Sequence, residues 1–358
     1  MKTTIITCFA SIFITGNALA VDRLVPSQYS TIQAAIDAAA NGDVVQISPG
    51  SYEGPLDTRG KAITVRGITD AASVVVRGGA SVVSCTSGET ATTLIENLTI
   101  SGGRGRTGAG IRIESASPVV RNCLIVDNAA RIDSPDGEPV YGDAKGGGIY
   151  VRSGMPHFMN CLVAGNVAAF TGGGFSFGSA MGGAIYVESS DARFTNCNIT
   201  GNLLQTGTLS ASGFGGAVCV WGVSRPTFQG CSFASNGINL AAPYPGNGGG
   251  CNGSGVVMYY QSSSQGVIDN CTFRQNVGAG CALGQALVVM ATTPGQIYVS
   301  NSTFCGNNVT SFSGTYIDLG NNRFPSTCPS CSGDLNGDNQ INGADLGLLL
   351  SSWGPCPN

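Results

Sequence analysis

The stretch Asn122-Cys123-Leu124-Ile125-Val126-Asp127-Asn128 decides the fold, because its arrangement recurs along the whole chain. An Asn or Gly opens each copy, a Cys or Ser usually follows, and a second Asn closes it. The further copies occupy residues 160–166, 196–202, 230–236, 270–276 and 301–307. A self-similar unit that returns every few tens of residues predicts stacked structural repeats.

A second pattern precedes each copy, since a glycine-led apolar run lies a short distance upstream. These runs occupy residues 110–113, 148–151, 183–187 and 216–220. Within each run apolar side chains alternate with period two, which is typical of a strand with one buried face. Each repeat is therefore predicted to contain a strand, a turn, a second strand, a tight bend at the first Asn, a third strand and a loop that starts at the second Asn.

The bend position holds Asn in five copies and Gly in one, Gly230. Asn and Gly are the residues that tolerate positive φ, so this position is predicted to adopt the left-handed conformation. We also expect the stacked Asn side chains to hydrogen-bond along the stack, because an unpaired buried amide is costly.

Together these features resemble the right-handed parallel β-helix of the pectate-lyase-like superfamily, over roughly residues 25–325. The fold class predicted is therefore all-β, a solenoid in which each coil buries its inner face against its neighbours. A leucine-rich repeat also has an Asn position. It is disfavoured because the inner positions are Ile, Val, Phe and Cys rather than a Leu framework.

An amphipathic helix is predicted over residues 30–39, with Ile32, Ala35, Ile36 and Ala39 on one face. A strand over 44–47 follows it. This helix looks like the cap that many secreted β-helices place over the first coil, where an open edge invites aggregation.

Two columns of the bend strands are predicted to point into the solenoid. One contains Cys123, Cys161, Cys197, Cys231 and Cys271. The other contains Ile125, Val163, Ile199, Phe233, Phe273 and Phe304. We expect the cysteines to remain buried free thiols that pack as small hydrophobes, since their side chains point the same way.

Two outward columns of the glycine-led strands contain the candidate substrate-binding residues. The first column contains Arg112, Tyr150, Tyr186 and Cys219, and the second contains Glu114, Arg152, Glu188 and Trp221. All of these residues except Cys219 are candidates. They predict either an exposed sugar-binding strip, with an ion-pair ladder through Arg152, or an ordinary solvated sheet face. The loops that follow the second Asn of each copy, such as residues 129–147, carry acidic and aromatic side chains. These loops predict a substrate cleft or a calcium site; the alternative is that they are ordinary surface loops without a binding function.

Signatures of catalysis are weak in this sequence. His157 is the only histidine, and we expect it to be structural. Hydrolysis of glycosidic bonds needs two carboxylates about 5–10 Å apart, and Arg152 lies between Glu114 and Glu188 in the predicted stack. The sequence does not decide whether the protein is an enzyme. An active one would be a polysaccharide lyase or a glycoside hydrolase.

Composition limits the class of protein. The chain has 358 residues, 54 of them Gly, only 11% charged residues and a net charge of −4, which gives no case for nucleic-acid binding. Residues 1–20 have the pattern of a secretory signal, and no later segment is a convincing membrane span. The protein is therefore expected outside the cytosol, secreted or on the cell surface.

The segment Asp334 to Asp345 has the oxygen-ligand spacing of an EF-hand-type calcium loop. The predicted Ca²⁺ ligands are Asp334, Asn336, Asp338, Gln340, Asn342 and Asp345. An apolar helical face follows the loop and contains Leu346, Leu349, Leu350 and Trp353. Loop and helix resemble a single type I dockerin repeat, and dockerins bind cohesin domains. A disulfide among Cys328, Cys331 and Cys356 is expected to clamp this module.

The sequence thus predicts a signal peptide over 1–20, a β-helix over 21–327 and a dockerin-like calcium module over 328–358. The first functional hypothesis is a protein that acts on or binds polysaccharide and is tethered by its calcium-binding tail to a cohesin-like domain or another surface component. The second is a non-catalytic, structural or adhesin-like surface protein. A β-helix supports both functions.

Overall fold

The computed structural model describes residues 20–134, 138–171, 176–207, 212–240, 256–261, 263–279, 286–290, 297–308, 310–326 and 328. Within them the chain winds into a right-handed solenoid of parallel strands, as predicted. No helix of this described part is long and apolar enough to cross a membrane. Residues 1–19 of the predicted signal peptide (1–20) and all the predicted calcium ligands lie outside the described residues.

Four sheets run along the solenoid, and successive coils add one parallel strand to each. Sheet A consists of Asp22–Val25, Val44–Ile47, Thr64–Gly67, Leu94–Glu96, Val119–Arg121, His157–Met159, Arg193–Thr195, Thr227–Gln229, Gly266–Asp269, Ile297–Ser300 and Ile317–Gly320. Sheet B consists of Gly50–Glu53, Val74–Arg77, Thr99–Ser101, Leu124–Val126, Leu162–Ala164, Asn198–Thr200, Ser232–Ala234, Thr272–Arg274 and Thr303–Cys305.

Sheets C and D complete the coil, and a short outer sheet lies outside it. Sheet C consists of Leu56–Asp57, Val83–Cys85, Ile111–Glu114, Ile149–Gly154, Ile185–Ser190, Val218–Trp221, Met258–Tyr260, Ala286–Met290 and Thr310–Ser313. Sheet D consists of Arg104–Gly105, Ala129–Asp133, Val167–Thr171, Leu203–Thr206, Gly237–Asn239 and Val277–Ala279. The outer sheet consists of Tyr141–Lys145, Phe177–Met181 and Ser212–Phe214.

Left-handed residues turn the chain at each corner of a coil. In the coil that starts at Gly146, positive φ occurs at Gly146 (62°), Ser153 (58°), Asn160 (51°) and Gly165 (63°). The Asn160 corner joins sheet A to sheet B. The prediction for the bend position is confirmed, because Gly230 has the same sign (64°) and the Asn residues of this column have φ between 51° and 61°.

A buried amide ladder forms at the second Asn of each repeat. The hydrogen bonding that we expected at the first Asn occurs at the surface, where Asn160 Nδ2 donates to Asn122 Oδ1 at 3.3 Å. The ladder residues are Asn128, Asn166, Asn202, Asn236, Asn276 and Asn307. Each of the first five side-chain amides donates to the side-chain oxygen of the next coil, for example Asn166 Nδ2 to Asn202 Oδ1 at 3.0 Å. Asn307 ends the ladder and donates to Phe273 O at 2.9 Å. The reason is burial, because the second Asn faces the interior whereas Asn122 and Asn160 lie at exposed corners.

The core contains the two inward columns that the sequence predicts. The five cysteines of the first column are buried and unpaired, so the prediction of free thiols is confirmed. Phenylalanines continue the second column, and the rings of Phe233, Phe273 and Phe304 stack with centroids 4.7 and 4.6 Å apart. The interior is therefore a continuous set of side-chain stacks parallel to the solenoid axis.

The first coil is capped by the helix Ile32–Ala38, which is shorter at both ends than predicted. Its residues Ile32, Ala35 and Ile36 are buried against the core, as expected. Thr31 Oγ1 accepts a hydrogen bond from the Ala34 amide at 3.1 Å and caps the N-terminus. A short 3₁₀ helix spans Ala71–Ser73.

The last described coil contains a repeat that the sequence analysis missed. Asn321 takes the bend conformation, with φ of 61°, and Asn322 follows it in the position of the cysteine column. Cys328 forms a disulfide with Cys305, with a Cα–Cα distance of 4.8 Å. The expected clamp of the C-terminal module is therefore wrong for Cys328. Its other two cysteines, at 331 and 356, lie outside the described residues.

Candidate functional site

Residues 129–147, which we expected to be a loop, instead form two strands and part of the outer sheet. The outer sheet lies against sheet D because its facing positions are small. A Cβ on Gly178 would lie 2.4 Å from Phe170 Cε2, and a Cβ on Gly213 would lie 2.6 Å from Leu204 Cδ2. Only glycine allows the outer strands to approach these large side chains.

The other face of the outer sheet turns toward sheet C. Lys145 Nζ lies 5.1 Å from the centroid of the Tyr186 ring. Met181 packs with Cys219 and with aromatic residues of sheet C that include Tyr186. Since strand residues alternate between faces, Tyr141 and Phe177 lie on the same face as Lys145 and Met181. The outer sheet, which we call the wall, thus packs beside sheet C, which we call the floor, and we call the surface between their exposed residues the corner groove.

The outward columns of sheet C have the predicted register. Arg112 pairs with Tyr150, Tyr150 with Tyr186, and Tyr186 with Cys219. In the second column Glu114, Arg152, Glu188 and Trp221 follow one another across four strands. Both predicted columns are confirmed as positions on the sheet.

The prediction of an exposed tyrosine strip is nevertheless wrong. Tyr150 is only 4% exposed and Tyr186 is fully buried, because the outer sheet covers this column. Burial, followed by the nearby charge of Glu188, raises the pKa of Tyr150 to about 12. Burial is also the main cause that raises the pKa of Tyr186, and its hydroxyl has no hydrogen-bond partner among the residues that the structure describes. These rings form the apolar base of the corner groove rather than a surface for sugars.

Charged residues line the open side of the groove floor. Glu114 lies between two guanidinium groups, with Arg112 Nη2 at 2.8 Å and Arg152 Nη2 at 3.2 Å from its oxygens. Both arginine side chains are about half exposed, at 42% and 53%. Of the predicted ion-pair ladder, the pair of Arg152 with Glu114 is therefore present. Among the described residues, the salt bridges place Arg152 on Glu114 rather than on Glu188.

Aromatic side chains occupy both sides of the groove. On the floor, half-buried Trp221 lies 6.3 Å from the Tyr259 ring and 5.9 Å from the Phe214 ring. On the wall, Tyr141 and Phe177 stack with centroids 6.4 Å apart and are 63% and 55% exposed. The rings on the wall are unusual because they are large, apolar and exposed side by side.

The wall was not predicted, although the sequence contains a pattern that indicates it. Tyr141-Gly142-Asp143-Ala144-Lys145 and Phe177-Gly178-Ser179-Ala180-Met181 share an alternation of large and small residues. Each segment directly precedes the Gly-Gly pair of a predicted strand. That alternation predicts a further strand with one closely packed face.

The remaining candidates do not assemble a catalytic centre in the described residues. His157 Nε2 lies 2.9 Å from Thr195 Oγ1, and burial followed by the charge of Arg193 lowers the pKa of this histidine. Asp133 is paired with Arg131 at 3.2 Å. Over the described ranges, no group of three or more His, Cys, Asp or Glu side chains has the arrangement of a metal site.

The sequence matches the family described as right handed beta helix region over residues 143–324, which is half of the chain. No curated protein sequence matches it. Among solved structures, pectate lyase Pel9A is 15% identical, with a TM-score of 0.44 over 92% of this chain and 85% of that chain. A rice weevil pectin methyl esterase is 12% identical, with a TM-score of 0.41 over 84% and 88%. Carrot pectin methylesterase is 15% identical, with a TM-score of 0.38 over 78% and 89%.

Proposed function

This chain belongs to the right-handed β-helix family, and we propose that it is a secreted or cell-surface protein that binds polysaccharide in the corner groove. The observation that carries the proposal is the pair of aromatic surfaces that face this groove. Tyr141 and Phe177 present exposed stacked rings on the wall, and Trp221 presents a half-buried ring on the floor.

Such an arrangement suits the chemistry of sugars. A pyranose ring has apolar C–H faces and polar hydroxyl edges, so it is recognised by aromatic rings next to hydrogen-bonding groups. The exposed guanidinium groups of Arg112 and Arg152 provide donors, and Glu188 provides acceptors. The stacked repeat also fits a polymer, because the wall is built from strands of three successive coils.

The geometry favours binding over cleavage. Both oxygens of Glu114 contact guanidinium groups, which leaves this carboxylate poorly placed to serve as a general acid. The same pairing of Glu114 with two arginines also favours the second candidate function, a non-catalytic structural or adhesive surface protein. In either role the family scaffold positions the groove, and the side chains of the groove decide the function.

The C-terminal segment supplies the proposed attachment. The ligand spacing from Asp334 to Asp345 supports Ca²⁺ binding, with hard oxygen donors that suit this ion. Its resemblance to a dockerin repeat supports a cohesin-like domain or another cell-surface component as the partner. The polysaccharide and this attachment are separate parts of the proposal.

Affinity electrophoresis of the intact protein tests the glycan part. The gels contain an acidic polymer, polygalacturonate, or a neutral soluble glucan, and the reaction mixtures are assayed for unsaturated products and new reducing ends. We expect retardation by at least one polymer without cleavage. Phe177→Ala and Trp221→Ala should each weaken it about tenfold, which corresponds to about 1.4 kcal/mol.

Val277→Ala is the matched control, because Val277 is an exposed apolar residue on a different sheet, sheet D. Circular dichroism establishes that each variant is folded. Cleavage products would replace binding by catalysis as the function. Absence of retardation by any polymer would favour the structural or adhesive role, and equal retardation of all variants would place binding outside the corner groove.

A further inference from the structure

The last described coil ends in a set of aromatic rings that no further coil covers in the described residues. Phe324 stacks on Phe304 with centroids 5.2 Å apart, and Phe312 lies 5.0 Å from Phe304 and 4.1 Å from Tyr316. Phe324 is 47% exposed. We call these four rings, Phe304, Phe312, Tyr316 and Phe324, the terminal cluster.

The two ends of the solenoid differ. At the first coil, the helix Ile32–Ala38 covers the core with Ile32, Ala35 and Ile36. At the last coil, the strands Ile317–Gly320 and Thr310–Ser313 are the final members of sheets A and C. Exposed final strands carry unpaired backbone groups and are prone to pair with other chains, so solenoids require a cap at each end.

The chain itself brings a suitable segment to this end. The disulfide with Cys305 holds Cys328 beside the final strand of sheet B, Thr303–Cys305. Thirty residues follow Cys328 (358 − 328). The predicted calcium loop begins within six residues of it, at Asp334, so the helical face beyond the loop is within easy reach of the terminal cluster.

That helical face needs a partner. Leu346, Leu349, Leu350 and Trp353 fall on one side of the predicted helix. A segment of this length cannot bury four large apolar side chains against itself.

We propose that the segment formed by residues 334–358 docks through this apolar face onto the terminal cluster and caps the solenoid. This inference goes beyond glycan binding and does not depend on it. It also means that the apolar face is occupied within the molecule, so an outside partner contacts the opposite side of the segment.

Trp353 provides the test. The chain has two tryptophans, so Trp221→Phe leaves Trp353 as the sole indole fluorophore. In the intact Trp221→Phe protein with Ca²⁺ present, we expect the emission of Trp353 to be blue-shifted and shielded from acrylamide. Phe324→Glu should abolish the blue shift, whereas Val277→Glu, on an exposed apolar residue of sheet D, should preserve it.

Leu350→Lys covers the case in which Phe324→Glu disturbs the last coil, because it changes the segment alone. It should abolish the blue shift and increase amide exchange in Ile317–Gly320, while exchange in the central coils stays unchanged. Solvent-exposed emission in the unaltered Trp221→Phe protein would overturn the proposal. A blue shift that survives both Phe324→Glu and Leu350→Lys would overturn it as well. Emission that depends on protein concentration would also overturn it, because a second copy would then cover the end.

Discussion

Replacing Asn166 by Ala removes one rung from the buried amide ladder. Asn166 Oδ1 accepts from the backbone amide and the Nδ2 of Asn128, both at 3.1 Å. Its Nδ2 donates to Ile125 O at 2.9 Å and to Asn202 Oδ1 at 3.0 Å. Asn166 is completely buried, so water cannot replace these four contacts.

The cost follows from the groups that lose a partner. Asn128 Nδ2 keeps bonds to two carbonyls, and Asn202 Oδ1 keeps the bond from the Asn166 amide. The backbone amide of Asn128 loses the acceptor that the structure gives it. One orphaned buried donor costs about 1–3 kcal/mol, and the space left by the side chain adds to this. We therefore expect Asn166→Ala to lower the free energy of unfolding by about 2–4 kcal/mol.

Equilibrium urea unfolding, followed by circular dichroism, measures this loss. Asn160→Gly is the matched control, six residues earlier in the same repeat. Asn160 is at a corner with φ of 51°, where Gly230 serves in another coil, so this substitution should change the free energy of unfolding by about 1 kcal/mol or less. Equal effects of the two substitutions would refute the assignment of the ladder to the second Asn.

Three further predictions follow from burial, packing and ligand chemistry. Burial raises the pKa of the Cys85 thiol to about 12. The thiol's contribution to stability is therefore complete below the unfolded pKa of about 8.5 and is lost as pH rises toward 12. Above about pH 9 the urea midpoint of the wild type should fall more steeply with pH than that of Cys85→Ala, and an equal dependence of the two midpoints on pH would contradict this. Gly178→Val should displace the outer sheet and abolish glycan retardation, because a Cβ at Gly178 would lie 2.4 Å from Phe170 Cε2. Gly201→Asn should retain it, because a Cβ there meets nothing within 4 Å and Asn tolerates the φ of 61° at this position. Retardation of both variants would contradict the wall. Asp334→Ala should abolish Ca²⁺ uptake in calorimetry, and equal uptake by the wild type and the variant would refute the ligand assignment.

The sequence was sufficient to predict the coil and its register. A left-handed corner at Asn122, Asn160 and Asn196 fixes where each bend strand begins, so the alternation of side chains then assigns every residue to the inside or the outside. For this reason the column of Arg112, Tyr150 and Tyr186 was predicted correctly as positions on the sheet.

Exposure within that column could not be predicted in the same way. Whether Tyr186 meets solvent depends on where the chain returns after sheet D, and the repeat unit contains no information on that path. The small residues Gly142 and Gly178 are the local sign that a second layer packs there. A further corner, at Asn321, was missed because the sequence has Thr327 rather than a second Asn six residues later.

Hydroxyl-radical footprinting of the intact protein, with and without an oligosaccharide of the retarding polymer, tests the corner groove most directly. The groove predicts that oxidation of Tyr141, Phe177 and Trp221 falls when the oligosaccharide is bound. Oxidation of Val277, on sheet D, should stay unchanged. Unchanged oxidation of all three aromatic residues under saturating oligosaccharide, or protection confined to another face of the solenoid, would contradict the account.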